Sequence, residues 1–275
     1  MRRFIKNILR LVLTEERRTS IAVRLLGDKF YLLKKSALAK QETSIEGLHA
    51  TASTKRSIQN VLSLLPHVMT GYLTTDWFWA ESYYPYYVSL AKLLNPRSIL
   101  EIGSLQGFSL ISMAEGCTNI KSLTWIDNEM YLPSSNQMCY ENVQYFFKNF
   151  RTSSKIPQMK FFKNSWDALS LKGKTGVDLI HIDGEHTYEG KLRDLAICSL
   201  LEPRYIVLDD YFNTMNHQAI DYWAKHNRLN FFVIDTFNRG LAVFDFNQKK
   251  NALALVKESG LPIAKVFNWK DAENS

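Results

Sequence analysis

Apolar residues in this chain gather in seven short runs: Ser98–Ile102, Leu123–Ile126, Met159–Phe162, Val177–Ile182, Tyr205–Leu208, Phe231–Asp235 and Leu241–Phe246. Runs of this length without strict alternation are what strands need when a sheet is covered on both faces. Between the fourth and fifth, Tyr188–Leu201 places Leu192, Leu195, Ala196 and Leu200 near the helical period, so strand, helix and strand follow one another and the two strands should be parallel. Val88–Leu94 completes another helix, which Asn95 and Pro96 end, because the residue before a proline is pushed out of the helical region. Thr214–His226 also reads as a helix. The last two runs flank a turn at Asn238, Arg239 and Gly240 and predict a closing hairpin, with Lys257–Ser275 left as a helix end and a tail. The expected fold is α/β, a doubly wound, mostly parallel sheet of seven strands.

The chain has 275 residues, of which 46% are hydrophobic and 13% aromatic, ample for one α/β core with an extension. The character of the sequence changes at Thr70, which predicts a helical extension over residues 1–70 and the main domain over 71–275. Nothing reaches the roughly 18 unbroken apolar residues that would span a bilayer, and Met1–Leu13 lacks the cleavage site of a signal peptide. Cys117, Cys139 and Cys198 are odd in number and scattered, which argues against a disulfide framework or a zinc site and fits a reducing cytoplasm.

Charge is unevenly placed. Residues 1–60 hold 13 Lys or Arg against 5 Asp or Glu, whereas the remainder is balanced. The segment MRRFIKNILRLVL, residues 1–13, would form a basic amphipathic helix. Three readings stay open for it: a helix docked in the fold or in a homo-oligomer, an anchor on a membrane surface, or a targeting or nucleic-acid arm. Gln41–Lys55 has the composition of a linker. Past Thr70, Trp77, Phe78 and Trp79 precede Tyr83, Tyr84, Tyr86 and Tyr87; most should be core, and a few could wall a pocket.

Candidate chemistry begins at the strand ends. Val177–Ile182 ends in Asp183, and Tyr205–Leu208 ends in Asp209 and Asp210. If the two strands are parallel neighbours about 4.8 Å apart, the three carboxylates converge and repel unless a cation or protons compensate. A hard divalent ion such as Mg2+ would serve. Solvated loop acids that cap helices are the competing reading.

The first strand runs into EIGSLQGFS, Glu101–Ser109, where Gly103 and Gly107 bracket a tight turn into a helix whose free N–H groups could meet a carboxylate or phosphate. It is not the dinucleotide fingerprint, since Leu105 stands where the middle glycine would be. Asp127 closes the second strand and is placed to accept from two ribose hydroxyls. Asn164, Ser165, Trp166 and Asp167 follow the third.

With these residues in place the chain resembles class I S-adenosylmethionine-dependent methyltransferases, over roughly Leu94–Phe246, and within them the metal-dependent O-methyltransferases that act on catechols and macrolide sugars. The resemblance implies that Glu101, Gly103, Ser104, Gly107 and Ser109 hold the methionine end of the cofactor, that Asp127 binds its ribose, and that Ser165 and Trp166 border adenine. It also places the metal ligands on Asp183, Asp209 and Asp210, with Asp183 beside the cofactor as well. His186, three residues beyond Asp183, falls where the catechol enzymes carry a basic lysine. It could take the acceptor's proton, or it could be a turn histidine that caps the following helix. His181, within a strand, reads as a core histidine.

The acceptor implied is a hydroxyl of a small molecule, a sugar or polyhydroxylated metabolite. Two rival readings remain. A nucleic-acid methyltransferase would suit the basic N-terminus, but amino-methylating enzymes of this fold carry Asp or Asn followed by Pro-Pro and an aromatic after the fourth strand, where this chain has Asp183, Gly184, Glu185 and His186. A cofactor-binding protein without catalysis, acting at a membrane or on a partner through its extension, is disfavoured by acids at every expected position.

Overall fold

The computed structural model describes residues 58–79, 82–151, 155–173, 176–237, 239–246 and 251–273. The amphipathic segment 1–13 and the linker-like segment 41–55 lie outside them. All the described residues belong to one compact unit that runs from Ala50 to Ser275.

Two short helices, α1 (Thr70–Leu73) and α2 (Asp76–Trp79), lead into α3 (Tyr84–Leu94), and the sheet then begins with β1 (Ser98–Ile102). There follow α4 (Phe108–Gly116), β2 (Ser122–Ile126), α5 (Ser135–Asn149), β3 (Gln158–Phe162), a 3-10 helix (Ser165–Leu171), β4 (Leu179–Ile182), α6 (Tyr188–Ser199) and β5 (Tyr205–Leu208). The chain closes with α7 (Thr214–His226), β6 (Phe231–Ile234), β7 (Leu241–Asp245), α8 (Ala252–Glu258), β8 (Ile263–Phe267) and α9 (Trp269–Glu273).

The strands form one sheet in the order β3-β2-β1-β4-β5-β7-β6-β8. From β3 to β5 every neighbour is parallel, and β7, β6 and β8 are antiparallel additions. The sheet therefore has eight strands, one more than expected. Ile263–Phe267, assigned to the tail, pairs with β6 instead; its alternation of half-buried and exposed residues suits an edge strand and is too short to stand out beside the buried runs.

Successive residues of each central strand serve opposite faces. Ile99, Leu179, Val207 and Val243 enter one apolar core, while Leu100, Ile180, Ile206 and Ala242 enter the other. Every residue of β1, β4 and β5 is buried, which is why these runs do not alternate in polarity. Helix α3 has Pro85 in its first turn and ends at Asn95 in the left-handed conformation, φ 45°, just before Pro96.

The expected boundary at residue 70 cuts through packed structure. Ile58, Leu62 and Leu65 are core members. Gln59 Nε2 also donates to the carbonyls of Phe78 and, at 2.8 Å, Trp79. None of the described helices is long and apolar enough to cross a membrane.

Candidate active site

The chain runs outward from β1 to β2 and β3, then returns to place β4 on the other side of β1. At such a reversal the loops after the two central strands part and leave a crevice at their carboxyl ends. The turns after β1 and β4 meet at its floor. Gly103 continues the ladder by donating from its N–H to Ile126 O (2.9 Å), with φ +84°. A Cβ at this position would lie 2.1 Å from the carbonyl oxygen of Asp183. Gly107, φ +79°, is the N-cap of α4, and a Cβ there would lie 2.6 Å from Cys139 Sγ. Both glycines are thus demanded by the protein's own packing, where the sequence had suggested room for a ligand. Between them Leu105 also adopts the left-handed region, φ 45°. No side chain caps the N-terminus of α4, so its first N–H groups remain for an anion.

Asp127, nearly buried, ends β2. Its Oδ2 accepts from Leu105 N (2.9 Å), and its Oδ1 from Glu129 N (2.7 Å) and Ser135 Oγ (2.8 Å). The carboxylate thereby joins the turn after β1 to the start of α5, with one lone-pair position to spare for a ribose hydroxyl. Ser165 and Trp166 open the 3-10 helix after β3, where Asn164 caps Trp166 N and the indole is 55% exposed, open to stack on a ring. Ser104 is buried within the turn.

Glu101 and Ser109 face inward and bind each other: Ser109 Oγ donates to Glu101 Oε1 at 2.5 Å. The same oxygen lies 2.7 Å from His181 Nδ1, and Glu101 and His181 are register partners on β1 and β4. Both side chains have no solvent exposure. His181 is therefore a core histidine, held by a carboxylate and covered by the ring of Tyr87 at 4.8 Å.

The acids after β4 and β5 do converge. Asp183 and Asp210 approach each other with His186 between them: His186 Nε2 is 3.7 Å from Asp183 Oδ1, and Nδ1 is 3.7 Å from Asp210 Oδ2. One ligand atom from each of the three lies within 4.8 Å of the others, close enough to share a cation. Asp209 sits behind, fully buried, with Oδ1 accepting from Asp210 N (2.8 Å) and Oδ2 lacking a hydrogen-bond partner. Asp210 occupies the left-handed region, φ 55°, a strained position for a non-glycine residue. Burial pushes the Asp183 carboxyl well above the usual range, and the charges of Asp209 and Asp210 push it further. Asp209 is raised for the same reasons, burial first and Asp210 second, against the pull of Arg239 and His181. The converging donors of Asp183, His186 and Asp210 fit a divalent ion, which would offset the carboxylate charges.

Three residues at the site carry no motif. Arg239 Nη1 lies 3.4 Å from Asp210 Oδ1 and 3.8 Å from Asp209 Oδ2. The antiparallel pairing of β7 with β5 brings it there, because the turn before β7 must lie beside the turn after β5. Asn216, buried in the first turn of α7, directs Nδ2 to Asp210 O (3.2 Å) and lies 3.3 Å from His186 Nδ1. Lys191, fully buried in α6, lowers the pKa of Asp183. A side-chain amide inside an amphipathic helix and a lysine within another gave no sequence signal. Arg239 stood in a recognisable hairpin turn, but the pairing of β7 with β5 that brings it to the acids was not legible in the sequence. Tyr83 and Tyr84 are buried beside the site, and burial raises both hydroxyls far above their usual pKa, which keeps them protonated.

Residues 100–211 match a family model described as a methyltransferase domain. The match spans β1 to the residue after Asp210, hence both glycine and acid turns. No curated protein matches the chain. Among solved structures, the chain is similar to an O-methyltransferase from Bacillus cereus in complex with SAH, at 15% identity over 70% of this chain and 90% of that one, TM-score 0.45. It is similar to the SAH-bound Podospora anserina methyltransferase PaMTH1, at 15% identity over 78% and 96%, TM-score 0.49. A third is the O-methyltransferase TomG from Streptomyces achromogenes in complex with SAM, at 17% identity over 73% and 89%, TM-score 0.40.

Proposed function

We propose that the chain transfers a methyl group from S-adenosylmethionine to a hydroxyl of a small molecule, a sugar or polyhydroxylated metabolite. The observation that carries this reading is the meeting of Asp183, His186 and Asp210 within 4.8 Å, with Asp183 itself packed against Gly103. Cofactor turn and acid cluster share one crevice, as donor and acceptor must for an in-line displacement.

Asp127 would accept from the ribose, the open N-terminus of α4 would take the methionine carboxylate, and Trp166 with Ser165 would border adenine. Asp183 and Asp210, with Asp209 behind them, would hold a Mg2+ ion. Such an ion supplies Lewis acidity that lowers the acceptor's pKa and fixes its angle. His186, half-exposed between the two acids, would take the hydroxyl proton. The hydroxyl oxygen then forms its bond to the methyl carbon as the carbon–sulfur bond breaks and sulfur keeps the electron pair. Asn216 would hold the imidazole by one nitrogen. Tyr83 and Trp77 would shield the reaction from water.

Incubation of the full chain with S-adenosylmethionine and a panel of polyhydroxylated acceptors, read as a mass gain of one methyl group, tests the proposal. A product that forms with Mg2+ and not with chelator is the expected result. Methylation of nucleic acid instead, or no methylation of any hydroxyl, would overturn it.

A further inference from the structure

Arg239 is placed with more care than a surface arginine needs. Its guanidinium carbon lies 4.7 Å from the ring centre of Tyr83 and 5.4 Å from that of Trp77. The aromatic faces hold it as rings hold cations. Its backbone is fixed as well: Arg239 O accepts from Phe212 N (2.9 Å), and Gly240 O accepts from Tyr211 N (3.0 Å). These bonds tie the turn before β7 to the residues just after Asp210. The result is a preorganised cation 3.4 Å from Asp210 and 3.8 Å from Asp209.

The charges make this position consequential. Asp183, Asp209 and Asp210 bring three negative charges when ionised. Arg239 offsets one of them permanently, and Lys191 acts on Asp183 from within α6. A divalent ion entering the same cluster meets a positive charge fixed on one of its prospective ligands. At such separations inside a protein, like charges repel strongly enough to change an equilibrium by an order of magnitude.

We propose that Arg239 is a resident cation of the acidic site that competes with a divalent ion for Asp210 and Asp209 and so weakens the site's hold on metal. This rests on the reading above, in which the acids hold the ion. Arg239 is thus a positioning residue. With metal absent it keeps the carboxylates together, and with metal present it holds the ion to a modest affinity that lets bound product leave with its oxygens free.

The test is calorimetric titration of Mn2+ alone into the full chain at one fixed pH, with Arg239→Gln, Arg239→Met and Arg239→Lys alongside. The methionine keeps an apolar stem between Tyr83 and Trp77, so one neutral variant remains if the other does not fold, and circular dichroism in chelator checks both. The neutral variants should bind Mn2+ at least about tenfold more tightly than the native chain, and the lysine variant should stay within about threefold of it. Detectable binding in a neutral variant alone would be the same result in stronger form. Equal affinity in all four proteins would overturn the competition and leave the metal site standing. No binding by any of them would remove both.

Discussion

Glu101 and His181 form a buried pair across neighbouring strands, 2.7 Å apart, with neither side chain reaching solvent. The pair joins the strand that enters the glycine turn to the strand that ends at Asp183. Removing the histidine leaves the buried Glu101 carboxyl with only Ser109 Oγ as partner, so His181→Ala should cost about 1–3 kcal/mol of stability. Urea unfolding measures it. A loss under about 1 kcal/mol would mean that the two are not an interdependent pair.

The contact between Gly103 and the Asp183 carbonyl makes a second prediction. Gly103→Ala must relax both a left-handed backbone and a 2.1 Å approach to backbone atoms. The backbone conformation alone should cost about 1–3 kcal/mol. The alanine variant should therefore lose stability and also displace Asp183, lowering cofactor and metal binding together. A variant as stable as the native chain would show that the turn has slack.

Asp194, whose Oδ2 lies against Gly184 beside Asp183, gives a pH dependence of its own. Burial raises its pKa above the ordinary value, although Arg193 and Lys191 pull it down. A raised folded-state pKa means that the protonated form is favoured in the native protein. Its contribution is complete below the unfolded value near 3.9 and is lost as pH rises through the higher folded value. Thermal unfolding in chelator across that window should fall more steeply with pH for the native chain than for Asp194→Asn. Parallel curves would contradict the assignment.

At the acids, Asp210→Asn should abolish most metal-dependent turnover, because Asp210 is one of the three groups that converge. Asp209→Asn should spare more, since one oxygen is already committed to Asp210 N and the side chain is wholly buried. His186→Ala should slow methyl transfer by about 100-fold or more while leaving cofactor affinity unchanged. Full turnover after treatment with chelator would instead describe a metal-free site, in which His186 and a neighbouring acid share removal of the proton.

Much of this was legible in the chain because burial on both faces writes unbroken apolar runs. The strands Ser98–Ile102 and Tyr205–Leu208, and the helix Thr214–His226, stand where the pattern put them. The carboxylates at the ends of β4 and β5 follow from parallel pairing alone. What the pattern could not show was contact between elements distant in sequence. Arg239 reaches Asp210 only because β7 lies antiparallel to β5, and β8 has the mixed exposure of an edge. The glycines were found for an incomplete reason, since Asp183 O and Cys139 Sγ, both far along the chain, are what exclude a side chain there.

If the crevice binds S-adenosylmethionine with its ribose on Asp127, removing that carboxylate must weaken the complex. The most direct measurement is calorimetric titration of S-adenosylmethionine into the native chain and into Asp127→Ala. The native chain should bind saturably and the variant should lose about 1–3 kcal/mol, the range for hydrogen-bond partners left unmade. No binding by the native chain, or equal binding by the two, would contradict it.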